Sequence, residues 1–167
     1  MLQKPTLAGS GTRLVITGLG TVSPLGNDTL STWNALVEGR SGVGQISHFD
    51  TSNLDVKIAA EVKDFDPSLR ITPKEQRRMD RFIQLGLYAA FEAIEQSAFK
   101  EHVAPERVGM LLSSGIGGLE GIETAHNAYL AEKQRISPFF IPSVITNLLP
   151  GQVSLYFGFK GPNYCIS

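Results

Sequence analysis

The chain has 167 residues, of which 42% are apolar and 19% are charged, and this composition is typical of a globular domain. Its 15 lysines and arginines against 16 aspartates and glutamates leave a net charge of -1, which predicts binding neither to nucleic acid nor to a membrane surface. The single cysteine excludes an internal disulfide, and because the sequence has no signal-peptide pattern and no apolar run of the ~20 residues that a membrane span needs, we expect a cytoplasmic protein.

The chain begins with a mostly polar stretch, followed by a predicted strand and loop. We expect residues 1–12 to be a flexible extension or a cloning scar, and residues 13–167 to form the folded domain. The apolar run at residues 14–16 predicts a strand covered on both faces. The glycine-rich loop at residues 18–26 lacks a P-loop lysine and has Ser23 where a dinucleotide fingerprint needs its third glycine. A tight loop is therefore favoured, and a nucleotide-binding domain is the weaker alternative.

Between Asn27 and residue 67 the sequence predicts one helix and one strand. Asn27 or Asp28 can cap the helix, and Gly39 can end it. The apolar stripe of this helix predicts a core position for Trp33, together with Leu30, Leu36 and Val37. The less regular stretch that follows contains one plausible strand, at residues 57–62.

The strongest helix signal of the sequence runs from Thr72 to about Ala98. Thr72 and Glu75 form a capping box, and Pro73 stands at the first helical position. Taken as one continuous helix, the segment has an apolar face that predicts the core, formed by Met79, Ile83, Leu87, Ala90 and Ile94. The opposite face carries four cations, which are Lys74, Arg77, Arg78 and Arg81.

These four cations have two interpretations. Charged helix faces are commonly just solvated, and salt screens each charge. However, cations in the first turns of a helix oppose its dipole at a cost of about 0.3 to 1 kcal/mol each, so local stability does not explain their presence. The cluster therefore indicates a surface for an anionic partner.

The middle of the chain predicts a second buried strand at residues 107–112, a loop of small residues at 113–118, and a helix at 120–133. Glu120 stands where a phosphate-binding loop needs its third glycine, so we expect no phosphate cradle there. No metal site is expected either. His102 and His126 lack a second ligand at metal spacing, and His48 stands alone in a polar loop.

The C-terminal part of the chain predicts an extended aromatic segment, a helix, a turn and a buried strand. Phe139 and Phe140 lie in the extended segment, where adjacent side chains point in opposite directions. Ser143 can cap the helix, and Gly158 can end it. Cys165 lies in the apolar strand pattern without a basic neighbour or a helix N-terminus, so we interpret it as a small buried residue and not as a nucleophile.

Several motifs along the chain belong together. They are V-I-T-G-L-G and S-P-L-G within residues 15–26, K-E-Q-R-R-M-D at 74–80, S-G-I-G-G at 114–118, S-P-F-F-I-P-S at 137–143 and G-P-N at 161–163. This set resembles the β-ketoacyl-acyl carrier protein synthases, the elongating condensing enzymes of fatty-acid synthesis, and most closely the type II synthases. The resemblance implies the thiolase-like layered fold (αβαβα), an α/β architecture built from two related halves, of which this chain covers most of the first.

The resemblance also implies roles for individual residues. Lys74, Arg77 and Arg78 match the segment on which the acidic acyl carrier protein docks. Ile116 matches an isoleucine at the bottom of the acyl pocket, and Phe140 matches a residue that reaches the acyl pocket of the partner subunit in a homodimer. The alternatives are an apolar turn anchor for Ile116 and simple packing for Phe140.

The chemistry that the resemblance implies belongs to the complete protein. It is the decarboxylative condensation of an acyl-enzyme with malonyl-acyl carrier protein, with substrates carried on phosphopantetheine and no further cofactor. The nucleophilic cysteine of a T-A-C motif would fall three residues beyond Ser167, and no catalytic residue of the family falls within the chain. We therefore expect a truncated protein that is inactive alone. A non-catalytic partner subunit of the same fold is the alternative.

Overall fold

The computed structural model describes residues 13–132 and 136–167, so the predicted extension at residues 1–12 lies outside the described part. The helices are α1 (Thr29–Val37), α2 (Pro73–Gln76), α3 (Arg81–Ser97), α4 (Leu119–Glu132), α5 (Phe140–Val144) and α6 (Leu148–Phe157). The strands are β1 (Val43–Gln45), β2 (Ile58–Ala60), β3 (Met110–Leu111) and β4 (Asn163–Tyr164). Short 3-10 helices occur at Pro67–Leu69, Phe99–Glu101 and Pro105–Arg107.

The core lies where α3 packs against α6. Ile83 and Leu87 of α3 are fully buried, and they belong to one cluster with Leu149 and Val153 of α6. Gly86 permits the close approach of the two helices, because a Cβ atom at residue 86 would lie 2.5 Å from a methyl carbon of Leu149. The predicted apolar face is confirmed, since all five of its residues belong to this cluster or pack against it.

The predicted capping box at the start of α2 is confirmed. The backbone N–H of Glu75 donates to the Thr72 hydroxyl, and the Glu75 carboxylate accepts from the Thr72 backbone N–H at 3.0 Å. Pro73 occupies the first turn as expected. The helix that starts there nevertheless ends at Gln76, so the single long helix predicted over residues 72–98 is wrong.

A break at residues 77–80 separates α2 from α3. Asp80 stands immediately before α3 with an extended backbone, at φ -67° and ψ 162°. The side-chain amide of Gln84 donates to the carbonyl oxygens of Gln76 and Met79, at 3.2 and 2.9 Å, and so connects the break to the start of α3. The Asp80 N–H donates across the molecule to the Ser143 oxygen at 3.3 Å. Contacts with distant residues therefore compensate the interruption.

The strands form two separate pairs. β3 and β4 are parallel, with Met110 opposite Asn163 and Leu111 opposite Tyr164. Both predicted strand regions thus contain a strand, but β3 is shorter than expected because Pro105–Arg107 forms a 3-10 helix. Leu111 and Tyr164 are exposed, so the predicted burial of these strands is wrong for the described part of the chain.

The second pair, β1 with β2, is antiparallel, with Gly44 opposite Ala59. β2 lies within the predicted strand at residues 57–62, and that prediction is confirmed. β1 was not predicted, because a three-residue strand containing glycine has too little periodicity to stand out from a loop.

The strand predicted at residues 14–16 is wrong. These residues pair with no other strand in the described part of the chain, and Ile16 is 83% exposed. The segment that follows lies along α3 instead. The backbone N–H of Leu19 donates to the Gln96 side chain, and that of Thr21 donates to Glu92. Gly20 approaches so closely that a Cβ atom there would lie 1.8 Å from the Ala89 oxygen.

The first helix is confirmed, but its predicted burial is wrong. Asp28 caps α1, with a carboxylate oxygen that accepts from the Ser31 N–H at 2.6 Å. Only Ala35 of this helix is buried, and Trp33 is 62% exposed because no described element covers its face of α1.

The C-terminal segment differs from the prediction in two ways. Phe140 begins the short helix α5 instead of continuing an extended segment. The Ser143 hydroxyl donates to the Phe140 oxygen within that helix, so it caps nothing, and Asn147 precedes α6 instead. Gly158 does end α6, with a positive φ of 74° that suits glycine. No helix among the described residues is both long and apolar enough to cross a membrane.

Candidate functional site

The three cations predicted to bind a partner lie together around the end of α2. We refer to Lys74, Arg77 and Arg78 as the basic segment. All three side chains are exposed, and within residues 13–132 and 136–167 none of them forms an ion pair with a carboxylate. Their charge is therefore available to an anionic partner.

Arg81, the fourth cation of the predicted face, has a different environment. It is half-buried, its guanidinium donates to the Val62 oxygen at 3.2 Å, and the group lies 5.6 Å from the ring centroid of Phe65. The break before α3 changes the direction of its side chain relative to α2. Arg81 thus anchors the 62–65 segment, and its predicted place beside the other three cations is wrong.

The basic segment contacts the aromatic segment near the C-terminal end of the chain. The guanidinium of Arg78 lies over the ring of Phe139, at 4.5 Å from the ring centroid, which is a cation–π geometry. A groove of about 590 Å³ opens beside this pair, lined by Glu75, Arg78, Met79, Phe139, Pro142, Gln152, Leu155 and Tyr156. The groove therefore presents charged and apolar surface next to each other.

Glu75 attaches α2 to α6. Its carboxylate accepts hydrogen bonds from Thr72 and from the Tyr156 hydroxyl, the latter at 3.0 Å. The hydrogen bond from the Thr72 hydroxyl is the main reason that the pKa of Glu75 lies below its ordinary value, and the bond from Tyr156 lowers it further. Partial burial, with Glu75 as its neighbour, raises the pKa of Tyr156. Glu75 therefore stays ionised, and α2 is held in place by an acceptor that is always available near neutral pH.

The predicted acyl-pocket residue Ile116 lies at the tip of a small loop, residues 114–118, and is 67% exposed. This loop is attached to the end of α5, because the Gly118 N–H donates to the Val144 oxygen at 2.8 Å. Gly117 has a positive φ of 81°, and a Cβ atom there would lie 2.3 Å from the same oxygen, so only glycine fits.

Phe140, the other predicted pocket residue, is half-buried at the first position of α5. The structure thus brings the elements that carry Ile116 and Phe140 together through Val144, although the two residues are 24 positions apart in the sequence. The pocket roles of both residues stay predictions.

Asp80 is the residue that the sequence analysis did not single out. Besides its backbone bond to Ser143, its carboxylate accepts a hydrogen bond from the Gly121 N–H of α4 at 3.0 Å. Cβ atoms at Gly118 and Gly121 would lie 2.7 and 2.6 Å from this carboxylate. The only signal in the sequence is the pairing of an aspartate before α3 with closely spaced glycines in residues 117–121.

Two other kinds of site, a reactive cysteine and a metal site, have less support in the structure. Cys165 lies directly after β4 and is only half-buried, so its predicted full burial is wrong for the described part of the chain, and its interpretation as a residue other than the nucleophile stays a prediction. Among the described residues, no three histidine, cysteine or acidic side chains come together in a way that could hold a metal ion.

Solved structures with the same arrangement of elements define the class of fold. The ishigamide ketosynthase/chain length factor matches 92% of this chain and 39% of its own, with a TM-score of 0.83 and 22% identity. A beta-ketoacyl synthase from Burkholderia phymatum STM815 matches 91% of this chain and 38% of its own, with a TM-score of 0.71 and 22% identity. The predicted α/β fold, the thiolase-like fold of the ketosynthases, is thereby confirmed.

The chain belongs to the beta-ketoacyl synthase family, because the family model for the N-terminal domain matches residues 12–167. The 3-oxoacyl-(acyl-carrier-protein) synthase 2 of Vibrio cholerae serotype O1 is 45% identical over 159 residues, and that of Coxiella burnetii is 48% identical over 157 residues. These alignments cover 93% and 92% of this chain, but only 38% of each relative. The family assignment leaves no reason to retain the nucleotide-binding alternative.

Proposed function

We propose that the full-length protein is a 3-oxoacyl-acyl carrier protein synthase of type II, an acyltransferase of fatty-acid elongation. The observation that carries this proposal is the similarity, over nearly the whole chain, to relatives that are named 3-oxoacyl-(acyl-carrier-protein) synthase 2. A third solved structure supports the proposed partner. It is a type II PKS acyl-carrier protein in complex with its ketosynthase, 25% identical over 87% of this chain with a TM-score of 0.71.

The proposed reaction has two covalent steps. A cysteine thiolate attacks the thioester carbonyl of an acyl carrier protein, the carrier thiol leaves, and an acyl-enzyme remains. Malonyl carrier then loses carbon dioxide, and the electron pair left on its α-carbon attacks the acyl-enzyme carbonyl, so that a carbon–carbon bond forms and the thiolate leaves. Preorganised donors must stabilise the charge on the carbonyl oxygen in both steps. We expect the nucleophile three residues beyond Ser167 and assign no catalytic group to the described residues.

We propose that the role of this chain within the full-length protein is to bind the carrier protein and the acyl group. The exposed cations of the basic segment suit an acidic carrier, and the neighbouring groove offers apolar surface beside the charges. Ile116 and Phe140 are proposed to line the acyl pocket, with Phe140 acting across a homodimer. The phosphopantetheine of the carrier brings the substrates, and no further cofactor is proposed. A cytoplasmic location stays part of the same proposal.

Charge reversal tests the proposed docking role. In the full-length protein, we expect Arg77→Glu with Arg78→Glu to weaken carrier binding about tenfold at low salt, because two attractive charges become repulsive. The loss should shrink as ionic strength rises, since salt screens exposed charges. Carrier affinity by titration calorimetry, and condensation by formation of the 3-oxoacyl-carrier product, are measured at two salt concentrations.

A matched control changes the same number of charges elsewhere. Lys57 and Lys63 are exposed, lie in loops away from α2, and form no ion pair in the described part of the chain, so Lys57→Glu with Lys63→Glu should leave carrier affinity within about twofold of wild type. Equal losses in the two double variants would mean that only net charge matters, and unchanged affinity in the Arg77/Arg78 variant would remove the docking assignment.

The acyl-pocket role of Ile116 predicts a change in chain length. We expect Ile116→Phe to lower kcat/KM for long acyl chains by roughly tenfold to two-hundredfold relative to short ones, because the larger ring would fill the far end of the pocket. The measurement is kcat/KM for a series of acyl carriers. Ile58→Phe, on an exposed position of β2, is the control that should leave the chain-length profile unchanged. An unchanged profile in Ile116→Phe would favour the turn-anchor interpretation.

The alternative from the sequence, a non-catalytic partner subunit of the same fold, makes a different prediction for the complete protein. A synthase should carry a cysteine three residues beyond Ser167 and form the condensation product, whereas a partner subunit should have another residue at that position and stay inactive. Sequencing of the native protein past residue 167 and the condensation assay decide between the two.

A further inference from the structure

We propose that Asp80 is a positioning residue that fixes the Ile116 loop and helix α5 relative to the basic segment. In this way the residues proposed to select the acyl chain keep a constant position relative to those proposed to bind the carrier. This inference rests on the proposed function. It goes beyond that function because Asp80 contacts neither the carrier surface nor the proposed pocket directly.

The first observation is the unusual direction of the Asp80 side chain. Asp80 stands at the capping position of α3, where an aspartate ordinarily bonds the N–H groups of its own first turn. It makes no such bond. Its carboxylate instead accepts the N–H of Gly121, in the first turn of α4, at 3.0 Å. Asp80 therefore caps a helix that begins 39 residues later in the chain.

The second observation explains why α4 needs this outside acceptor. The residue before α4 is Gly118, which has no side-chain oxygen to bond the free N–H groups of the first turn. The absence of side chains at residues 118 and 121 makes room for the Asp80 carboxylate, because a Cβ atom at Gly118 would lie 2.7 Å from it and one at Gly121 would lie 2.6 Å from it, so either would displace it. The two glycines thus form a socket into which the Asp80 carboxylate fits.

The third observation is that the same contacts close a ring. The Asp80 N–H donates to the Ser143 oxygen at 3.3 Å, near the end of α5. The next residue of α5, Val144, accepts the N–H of Gly118 at 2.8 Å. The segment before α3, the start of α4 and the end of α5 therefore hold each other through three hydrogen bonds, and Asp80 takes part in two of them.

The elements joined by this ring are those that carry the proposed functional residues. The basic segment ends two residues before Asp80, the Ile116 loop ends at Gly118, and α5 begins at Phe140. Loss of the Asp80 carboxylate removes the bond to Gly121 but leaves the backbone bond to Ser143, so the start of α4 and the Ile116 loop before it should shift relative to α5 while the exposed cations stay where they are. Chain-length preference should then change, and affinity for an acyl-free carrier should not.

The test uses Asp80→Ala in the full-length protein. We expect the ratio of kcat/KM for long and short acyl carriers to change by about two- to thirtyfold, the range typical of residues along a coupling path. Affinity for the acyl-free carrier should stay within about twofold of wild type. Asp80→Asn keeps an oxygen acceptor for the Gly121 N–H and should restore most of the wild-type ratio.

The control for a general loss of stability is Asp28→Ala. Asp28 is also a capping aspartate, but its carboxylate bonds Ser31 within its own helix α1 and not the proposed pocket elements. It should lower stability without changing the chain-length ratio. If Asp80→Ala changes the ratio no more than Asp28→Ala does, the positioning role is wrong.

Two further variants make every outcome decisive. Gly121→Ala adds a Cβ atom that displaces the same carboxylate, so it should change the long-to-short ratio of kcat/KM as Asp80→Ala does. If Asp80→Ala does not fold, Gly121→Ala provides the test instead. Ile116→Phe distinguishes failure of the Asp80 role from failure of the proposed acyl pocket. A ratio that moves in Ile116→Phe but in neither of the others overturns only the role of Asp80, whereas a ratio that moves in none of them overturns the proposed pocket as well.

Discussion

Leu87→Ala is expected to lower the free energy of unfolding by about 2 to 5 kcal/mol, the usual range for a buried leucine replaced by alanine. Leu87 is 0% exposed in the cluster between α3 and α6. The substitution removes three buried carbons, and the surrounding helices cannot fully close the cavity, because Gly86 already brings Leu149 as near as its methyl groups allow.

Urea denaturation followed by circular dichroism measures this effect. The control is Leu155→Ala on α6, which makes the same chemical change at a position 75% exposed and should alter the unfolding free energy by no more than about 0.5 kcal/mol. Similar losses in the two variants would mean that the α3–α6 contact is not the core of this domain.

Gly20→Ala is expected to cost about 1 to 3 kcal/mol, as overpacking usually does. The added Cβ atom would lie 1.8 Å from the Ala89 oxygen and 2.9 Å from the Ala93 nitrogen. Both are backbone atoms in the middle of α3, so they cannot move aside as a side-chain end would. The segment before Thr21 must then separate from α3 and lose the hydrogen bonds of Leu19 and Thr21.

Gly115→Ala is the matched control for this substitution. A Cβ atom at residue 115 meets nothing within 4 Å, and the residue has no positive φ, so we expect a change within about 0.5 kcal/mol. Thermal denaturation compares the two variants, and amide hydrogen exchange at Leu19 and Thr21 tests for local separation. Normal protection of both amides in Gly20→Ala would contradict the predicted clash.

The helices were predicted best where their determinants are close in sequence. The Thr72–Glu75 capping box, the Asp28 cap of α1 and the end of α6 at Gly158 each depend on residues within one helical turn. The apolar face of α3 was equally visible, because its residues recur at helical spacing. Predictions of which residues are buried were less accurate than those of helix caps and helix ends. A pattern such as that around Trp33 tells which face is apolar, but not whether another element covers it.

The candidate site was predicted in part for the same reason. The cations Lys74, Arg77 and Arg78 could be found in the sequence as a local cluster, and the structure does place them together at the surface. The contact of Arg78 with Phe139 could not be predicted, since it joins residues 61 positions apart in the chain. Arg81 was assigned to the wrong surface because its direction depends on the break before α3.

The sequence by itself determined the family, the helix caps and the apolar face of α3, because each of these depends on residue types at short, fixed spacing. Only the tertiary structure decided where the long predicted helix breaks and where the Asp80 carboxylate goes. Asp80 and Gly121 are 41 residues apart, and nothing local favours their hydrogen bond. It forms because packing brings a socket of two glycines against the start of α3, where an acceptor for the first turn of α4 is needed.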